Sequence, residues 1–315
     1  MQTQEINIQT IAQKTLHQMR KVIMGKDPQL AWALATILSG GHILLEDIPG
    51  VGKTTLAVAF SRLLGLSYNR VQFTPDVLPS DITGFSIPDQ QGGMTYRPGA
   101  ILCNLFLADE LNRATSRTQS ALLEAMEEHQ VTVDGVCHPL PSPFIVIATQ
   151  NPTGAAGTQL LPDSQMDRFS IRLSLGYPQP ADEMNMVMSR IQKDPMSQLT
   201  ALLTPETLGE MQKAVAATYI SEDIVRYIVQ LVDATRHDSR ILRGASPRAT
   251  LCLADMSKAI ARLNGRDYVV PKDVQQVFTQ CIPHRLLLAP QAEGNVSAEE
   301  ILADILGQIK PPRIG

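Results

Sequence analysis

The sequence predicts an α/β domain with a mostly parallel sheet, followed by an all-helical domain. Two observations predict this division. Up to about residue 178, short apolar runs alternate with helical patterns, which is typical of a parallel sheet with helices on both faces. Beyond the proline-containing stretch 178–200, only helical patterns follow. We therefore assign residues 1–178 to the first domain, 179–200 to a linker with a helix, and 201–315 to the second domain.

Five apolar runs in the first domain predict strands. They are HILLE (42–46), SYNRVQF (67–73), NLFLADE (104–110), FIVIATQNP (144–152) and SIRLSL (170–175). The intervening segments show the spacing of amphipathic helices, most clearly 11–24, 27–40, 54–65 and 116–129. Asp134-Gly135, between two β-prone runs, is a hairpin signal. Residues 84–99 form a long polar insertion before the third strand.

The second domain is predicted from helical patterns with recognisable starts. Ser246-Pro247 is a favourable helix start, and Ser297 with Glu300 three residues later fits a capping box. Further helical patterns cover 183–191, 205–219, 221–237 and 271–286. The methionines in the first of these, EMNMVMSR, are expected to pack in the core.

Composition narrows the functional class. The chain has 315 residues, a hydrophobic content of 44% and a net charge of -4, so no cationic face for nucleic acid is evident. Its four cysteines lie far apart and form no C-x-x-C pair, which argues against a zinc ribbon and favours a reducing, cytoplasmic compartment. The longest apolar stretch, LAWALATIL, is too short to span a bilayer, so we expect no transmembrane segment.

The segment LLEDIPGVGKTTL, Leu44 to Leu56, suggests a phosphate-binding loop. It ends in Gly52-Lys53-Thr54, but Asp47 stands where the strict motif G-x-x-x-x-G-K-[ST] has glycine. Such a loop would direct backbone N–H groups and Lys53 at phosphates, while the hydroxyl of Thr54 binds Mg²⁺. An ordinary glycine-rich turn between strand and helix is the alternative. The residues expected around the nucleotide phosphates are Pro49, Gly50, Val51, Gly52, Lys53, Thr54 and Thr55.

Acidic and polar residues at the ends of two further strands strengthen this hypothesis. NLFLADE ends in Asp109-Glu110, and a buried parallel strand has little reason to end in two acids except at the carboxyl edge, where ligands bind. Asp109 would hold Mg²⁺, and Glu110 would polarise the attacking water. Asn151, after the next strand, could orient that water, although Asn-Pro is also a common turn.

Two arginines are weaker candidates. Arg168, before the last strand, could be a finger for a neighbouring subunit's γ-phosphate; the alternative is a salt bridge with Asp167 or Asp163. Arg248 lies in the first turn of a helix, where a cation opposes the helix dipole and needs an external anion. That anion could be a phosphate or a nearby carboxylate.

Taken in order, PGVGKT, LADELNRA, TQSALLEAMEE, ATQNP, LPDSQMDRF and SPRA resemble the MoxR family of AAA+ ATPases over roughly residues 20–310. The resemblance implies an AAA+ P-loop core with a helical lid, MgATP as ligand, and a homo-oligomeric ring, typically a hexamer. It implies that Asn151 is the sensor 1 residue, Arg168 the arginine finger acting in trans and Arg248 the sensor 2 residue. It also places VIMG, with Val22, Ile23 and Gly25, at the adenine pocket, and implies that Asp47 is compatible with an active site.

The resemblance implies an ATPase that remodels or activates a protein partner, by maturation or by metal or cofactor insertion. A protein with a von Willebrand factor A domain is the expected partner. An ATP-dependent DNA motor and a nucleotide-gated scaffold are the alternatives. The acidic balance weighs against the motor, so we expect no specific nucleic acid. The presence of Glu110, Asn151 and Arg168 weighs against a scaffold.

Overall fold

The computed structural model describes residues 7–90, 93–151, 161–192 and 194–313. Parts of the predicted first domain (1–6 and 152–160, with Pro152 of FIVIATQNP), insertion (91–92), linker (193) and second domain (314–315) lie outside the described residues.

The strands, in chain order, are β1 (Ile43–Glu46), β2 (Tyr68–Gln72), β3 (Gly84–Pro88), β4 (Met94–Pro98), β5 (Leu105–Asp109), β6 (Gln130–Val133), β7 (Val136–Pro139), β8 (Ile145–Gln150), β9 (Ile171–Leu173), β10 (Ile241–Arg243) and β11 (Leu287–Leu288). The helices are α1 (Ile8–Arg20), α2 (Asp27–Leu38), α3 (Lys53–Leu63), α4 (Pro79–Thr83), α5 (Ser116–Glu128), α6 (Asp163–Met166), α7 (Pro180–Gln192), α8 (Pro205–Ala216), α9 (Glu222–His237), α10 (Pro247–Leu263), α11 (Pro271–Cys281) and α12 (Ala298–Gln308). Short 3₁₀ turns cover Leu111–Arg113, Pro195–Gln198 and Pro283–Arg285.

A five-stranded parallel sheet in the order β2–β5–β8–β1–β9 forms the first part of the molecule. Each of its strands lies within an apolar run of the sequence, so the five strand predictions are confirmed. β1, which leads into the phosphate loop, lies between β8 and β9. The carboxyl ends of β1, β5 and β8 therefore meet at one edge, and the polar residues that follow these strands are brought together there.

Alternate residues of the strands enter two different cores because successive side chains point to opposite faces. Leu105, Leu107 and Ile147 belong to the cluster on one face, whereas Phe106 and Val146 belong to the cluster on the other. Helices cover both faces, which explains why these strands are continuous apolar runs.

The predicted α/β domain and the following helical domain are confirmed, with one addition. The short strands β10 and β11 pair antiparallel within the helical part. The placement of the boundary at 178–200 stays a prediction.

The first two helices join the sheet to the helical part. α1 packs on α2, α3 and α10, and α2 also packs on α8 and α10. Ile8, Met19 and Leu34 share one hydrophobic cluster with Leu253 and Met256 of α10. The apolar core is thus continuous between the sheet and the later helices.

Two hairpins extend from the core. The Asp134-Gly135 turn joins β6 to β7 with φ angles of 49° and 80°, the left-handed geometry that tight hairpins require, so this prediction is confirmed. The insertion 84–99 contributes a second hairpin, β3–β4. The ring of Tyr96 stacks on that of His138, with centroids 3.7 Å apart, which ties the two hairpins together. Among the described residues, no helix is both long and apolar enough to span a membrane.

Candidate nucleotide-binding and catalytic site

The phosphate loop connects β1 to α3. Gly50 and Gly52 have φ angles of 89° and 100°, a left-handed conformation that glycine adopts at little cost, and Lys53 begins the helix. The positive end of α3 therefore faces the space enclosed by the loop. The Lys53 Nζ donates to the carbonyl oxygen of Asp47 at 2.6 Å. Burial lowers the pKa of Lys53, an effect opposed by the negative charges of Asp47, Asp109 and Glu110.

Asp47, the departure from the strict motif, has a structural role. Its side chain is buried and accepts hydrogen bonds from the Oγ of Ser174 at 2.9 Å and from the backbone N–H groups of Leu175 at 2.5 Å and Gly176 at 3.1 Å. These residues follow β9 and lead to α7. Asp47 thus links the start of the phosphate loop to the segment that leaves the sheet, a role that glycine could not fill.

The two acids at the end of β5, Asp109 and Glu110, are held by Thr149. The Thr149 hydroxyl donates to Asp109 Oδ1 at 2.7 Å and accepts the backbone N–H of Glu110 at 2.8 Å. Glu110 has a left-handed backbone with φ 58°, which is rare for a non-glycine residue and is often found at active sites. A single hydroxyl on the neighbouring strand therefore orients both acids.

Three residues at this site were missed by the sequence reasoning. Arg70 donates to Asp109 Oδ2 from Nε at 3.1 Å and from Nη2 at 2.7 Å. Arg113 Nη1 lies 2.8 Å from Glu110 Oε2, and Gln72 Nε2 lies 3.5 Å from the same oxygen. Arg113 follows Glu110 by three residues, a spacing that could have been noticed. Arg70 and Gln72 are remote in sequence, and their proximity depends on the pairing of β2 with β5.

A cavity of about 340 Å³ lies between these elements. Most of the predicted phosphate, metal and water-orienting residues line it, together with Arg70 and Gln72: Pro49, Gly50, Gly52, Lys53, Thr54, Thr55, Asp109, Glu110 and Asn151. Val51 instead packs against the hydrophobic core. Another cavity, about 420 Å³, lies between α1, α2, α10 and α11. None of its described lining residues is charged, so it is a poor candidate for phosphates.

The predicted adenine segment is not among the described residues that line the phosphate-loop cavity. Val22, Ile23 and Gly25 are in the turn between α1 and α2, and Ile23 is buried. Gly25 has a φ of 70° and is so close to the carboxylate of Asp182 in α7 that a Cβ would clash with it. Lys26 donates to the carbonyl of Tyr177 at 2.8 Å. The segment therefore contacts the chain that leads into α7, and its role toward adenine stays a prediction.

The two candidate arginines, Arg168 and Arg248, lie together in a second cleft, away from the phosphate loop. Arg168 and Arg248 both pair with the carboxylate of Glu127 in α5, Arg168 at 3.3 Å. Both line a cleft of about 230 Å³ that shares no described lining residue with the phosphate-loop cavity. The structure thus brings Arg168 and Arg248 together but places them apart from Lys53.

The local salt bridges that offered an alternative for Arg168 are absent among the described ion pairs. Asp167 pairs with Arg285, and Asp163 pairs with Arg243. The Nε of Arg168 is buried without a hydrogen-bond partner among the described groups. Among the described ion pairs, Glu127 is the partner of Arg168.

The donors around the phosphate-loop cavity suit a magnesium nucleotide. Mg²⁺ prefers carboxylate and hydroxyl oxygens and usually shares its coordination with phosphates. Asp109 and Thr54 supply one of each, and Lys53 and the N-terminus of α3 supply positive charge for the phosphates. The residues present fit both groups.

Comparisons with known proteins agree with this geometry. Residues 42–171 match the model of the "ATPase family associated with various cellular activities (AAA)", and residues 233–305 match the "AAA lid domain". The chain is 41% identical to YeaC of Bacillus subtilis, covering 95% of this chain and 94% of YeaC. It is 36% identical to "Chaperone MoxR1" of Mycobacterium tuberculosis, covering 96% and 82%. A solved structure from Cytophaga hutchinsonii superposes with a TM-score of 0.89 at 35% identity, covering 97% and 96%.

The fold, the phosphate loop and the two acids after β5 define an ATPase of the AAA+ class with its lid. Similarity over nearly the whole chain specifies the group further. The chain belongs to the MoxR family.

Proposed function

We propose that this protein hydrolyses MgATP in a homo-oligomeric ring, typically a hexamer, and thereby remodels or activates a protein partner. The observation that carries the proposal is the separation of two complementary half-sites. One cavity holds Lys53, Asp109 and Glu110, and a different cleft holds Arg168 and Arg248. A head-to-tail contact between identical subunits brings two such different surfaces together, and it gives a ring when the rotation between subunits closes.

The chain's own residues divide the chemistry. Lys53 and the N–H groups of the loop would bind the phosphates, and Asp109 and Thr54 would hold magnesium, which would neutralise phosphate charge. Glu110 orients and polarises the attacking water, with its backbone fixed by Thr149. Asn151 lines the same cavity and would position that water.

The arginines complete a neighbour's site. A cation supplied in trans that meets the γ-phosphate in the transition state is worth about 10³–10⁵ in rate. Glu127 would hold Arg168 and Arg248 as a pair until the phosphate of the adjoining subunit competes for them. We assign the sensor 2 role of Arg248 to this interface rather than to its own subunit's nucleotide, since it lies beside Arg168.

The hairpins β3–β4 and β6–β7 are the surface we propose for the partner. Phe85, Met94 and Val136 on these hairpins are at least half exposed. Apolar side chains on a projecting surface favour a protein ligand. The net charge of -4 disfavours a nucleic acid. A protein with a von Willebrand factor A domain remains the partner we propose to test first.

Mixed rings test the proposal. Lys53→Ala should abolish nucleotide binding, and Arg168→Ala should abolish hydrolysis while leaving binding intact. In a random 1:1 mixture, about a quarter of head-to-tail interfaces would combine an intact phosphate site with an intact finger, so activity should return. Arg226→Ala, which breaks an exposed ion pair on α9, is the matched control.

Two results would contradict the trans role. One is normal turnover by Arg168→Ala alone. The other is a mixture that stays inactive although native mass spectrometry shows mixed rings. Stimulation of ATPase activity by duplex DNA, and not by a protein partner, would favour the DNA motor instead.

A further inference from the structure

Arg70 of β2 lies beside Asp109, the proposed metal ligand. In the pairing of β2 with β5, Arg70 stands opposite Leu107, and Gln72 stands opposite Asp109. From this position both Nε and Nη2 of Arg70 reach the same oxygen, Oδ2 of Asp109, at 3.1 and 2.7 Å. The Asp109 side chain is 12% exposed, so the guanidinium compensates a nearly buried negative charge.

This pairing occupies one of the two oxygens with which Asp109 could bind a metal ion or its water. A carboxylate oxygen has two lone pairs, and two N–H groups of Arg70 take both on Oδ2. On Oδ1, the Thr149 hydroxyl takes one lone pair at 2.7 Å. A divalent ion approaching Asp109 therefore competes with a guanidinium for Oδ2 and is repelled by its charge.

A second acceptor for Arg70 exists once nucleotide is present. Arg70 lines the same cavity as Lys53 and Thr54, and its side chain is 42% exposed, so its other N–H groups are not all enclosed. Phosphate oxygens accept a guanidinium's paired N–H groups as well as a carboxylate does. Nucleotide phosphate can thus take the place of Asp109 as the partner of Arg70.

We propose that Arg70 is the counter-ion of Asp109 in the nucleotide-free subunit and exchanges it for phosphate when nucleotide and metal bind. The inference rests on the proposed nucleotide site. The exchange makes metal binding depend on nucleotide: without phosphate, Arg70 blocks Asp109, and with phosphate, Asp109 is released.

The proposal predicts opposite changes in two binding constants when Arg70 is replaced by Gln. Mn²⁺ alone should bind the full-length Arg70→Gln chain about tenfold more tightly than the wild type, because its competitor is gone. ADP in the presence of EDTA should bind roughly tenfold more weakly, because a phosphate ligand is gone. Electron paramagnetic resonance of free Mn²⁺ and titration calorimetry measure the two constants.

Two further variants separate this role from a structural one. Arg70→Lys keeps the charge and should give intermediate values of both constants. Arg226→Gln, with the same change of charge on an exposed ion pair of α9, should change neither.

If Arg70→Gln weakens the binding of Mn²⁺ and of ADP equally, or leaves Mn²⁺ binding unchanged, the exchange is wrong while the nucleotide site stands. A wild-type chain that binds ADP neither with nor without metal would overturn the nucleotide site as well. If Arg70→Gln does not fold, as judged by circular dichroism, Arg70→Lys decides: wild-type Mn²⁺ and ADP affinities would overturn the exchange, and opposite shifts would support it.

Discussion

Replacing Asp47 by glycine would restore the strict phosphate-loop sequence, yet we expect it to destabilise this protein. The carboxylate of Asp47 is buried and accepts three hydrogen bonds, two of them from the backbone of Leu175 and Gly176. Glycine offers no acceptor in its place. The variant therefore loses the link between the phosphate loop and the segment that follows β9.

The size of the loss follows from what each donor can do afterwards. The N–H of Leu175 is buried and cannot reach water, and a buried unsatisfied donor costs about 1–3 kcal/mol. Ser174 and Gly176 are partly exposed, so water can replace much of what they lose. With the added backbone freedom of glycine, roughly 0.5–1 kcal/mol, the sum is about 3 kcal/mol. For a chain of 315 residues that corresponds to a fall in Tm of roughly 4–5 °C.

Thermal unfolding followed by circular dichroism measures this change. Asp47→Asn, which keeps one acceptor oxygen, should fall between the wild type and Asp47→Gly. Asp223→Ala removes a carboxylate that is 69% exposed and should change Tm little. A Tm of Asp47→Gly equal to or above that of the wild type would refute the reasoning and show that Asp47 is only tolerated.

Two other predictions follow from the site and the core. Glu110→Gln should bind ATP with wild-type affinity but hydrolyse it about 10²–10⁴ times more slowly, since the carboxylate that polarises water is lost; near-normal turnover at saturating ATP would contradict this role. Burial lowers the pKa of His42 from 6.5 to about 4, and its neutral ring accepts the N–H of Val146 at 3.0 Å. As the pH falls, His42 is therefore protonated in the unfolded chain before it is protonated in the folded chain. The stability that depends on neutral His42 is complete above pH 6.5 and falls by about 3 kcal/mol as the pH drops to about 4. Urea unfolding between pH 7.5 and 4 should show a shallower pH dependence for His42→Gln, and an unchanged slope would count against it.

The sequence was sufficient to predict the strands and several residues that line the phosphate-loop cavity, whose roles stay predictions. Apolar runs such as NLFLADE and FIVIATQNP have no polar interruption, and a strand buried on both faces requires this pattern. The cavity positions of Asp109 and Asn151 were predictable because they lie at the carboxyl ends of such strands, where ligands bind, and that of Lys53 because it ends the loop that follows β1.

Pairings across the sheet were not predictable in the same way. Arg70 contacts Asp109 only because β2 is the neighbour of β5, and Asp47 contacts Ser174 only because β9 is the neighbour of β1. Strand order depends on the packing of the whole chain, and no local spacing records it. The same limit applies to Glu127, whose contact with two arginines from distant segments had no signal in its helix.

One expectation about packing was wrong. The helical spacing of EMNMVMSR suggested methionines packed in the core, but Met184 and Met188 are 64% and 55% exposed on α7. Val187 and Ile191 on the same helix are also exposed, so apolar residues line its outer face. Periodicity shows that a helix has an apolar face, but it does not show whether the chain supplies anything to cover that face.

The continuous core between α1, α2 and α10 has a consequence for biosynthesis. α1 leaves the ribosome well before α10, on which it packs, because the whole sheet is made between these two helices. At about 5–20 residues per second, α1 waits for roughly tens of seconds with its apolar side exposed. The nascent chain is then a natural target for chaperones that bind apolar segments. Emergence of α10 from the ribosome would be the step that covers the apolar side of α1.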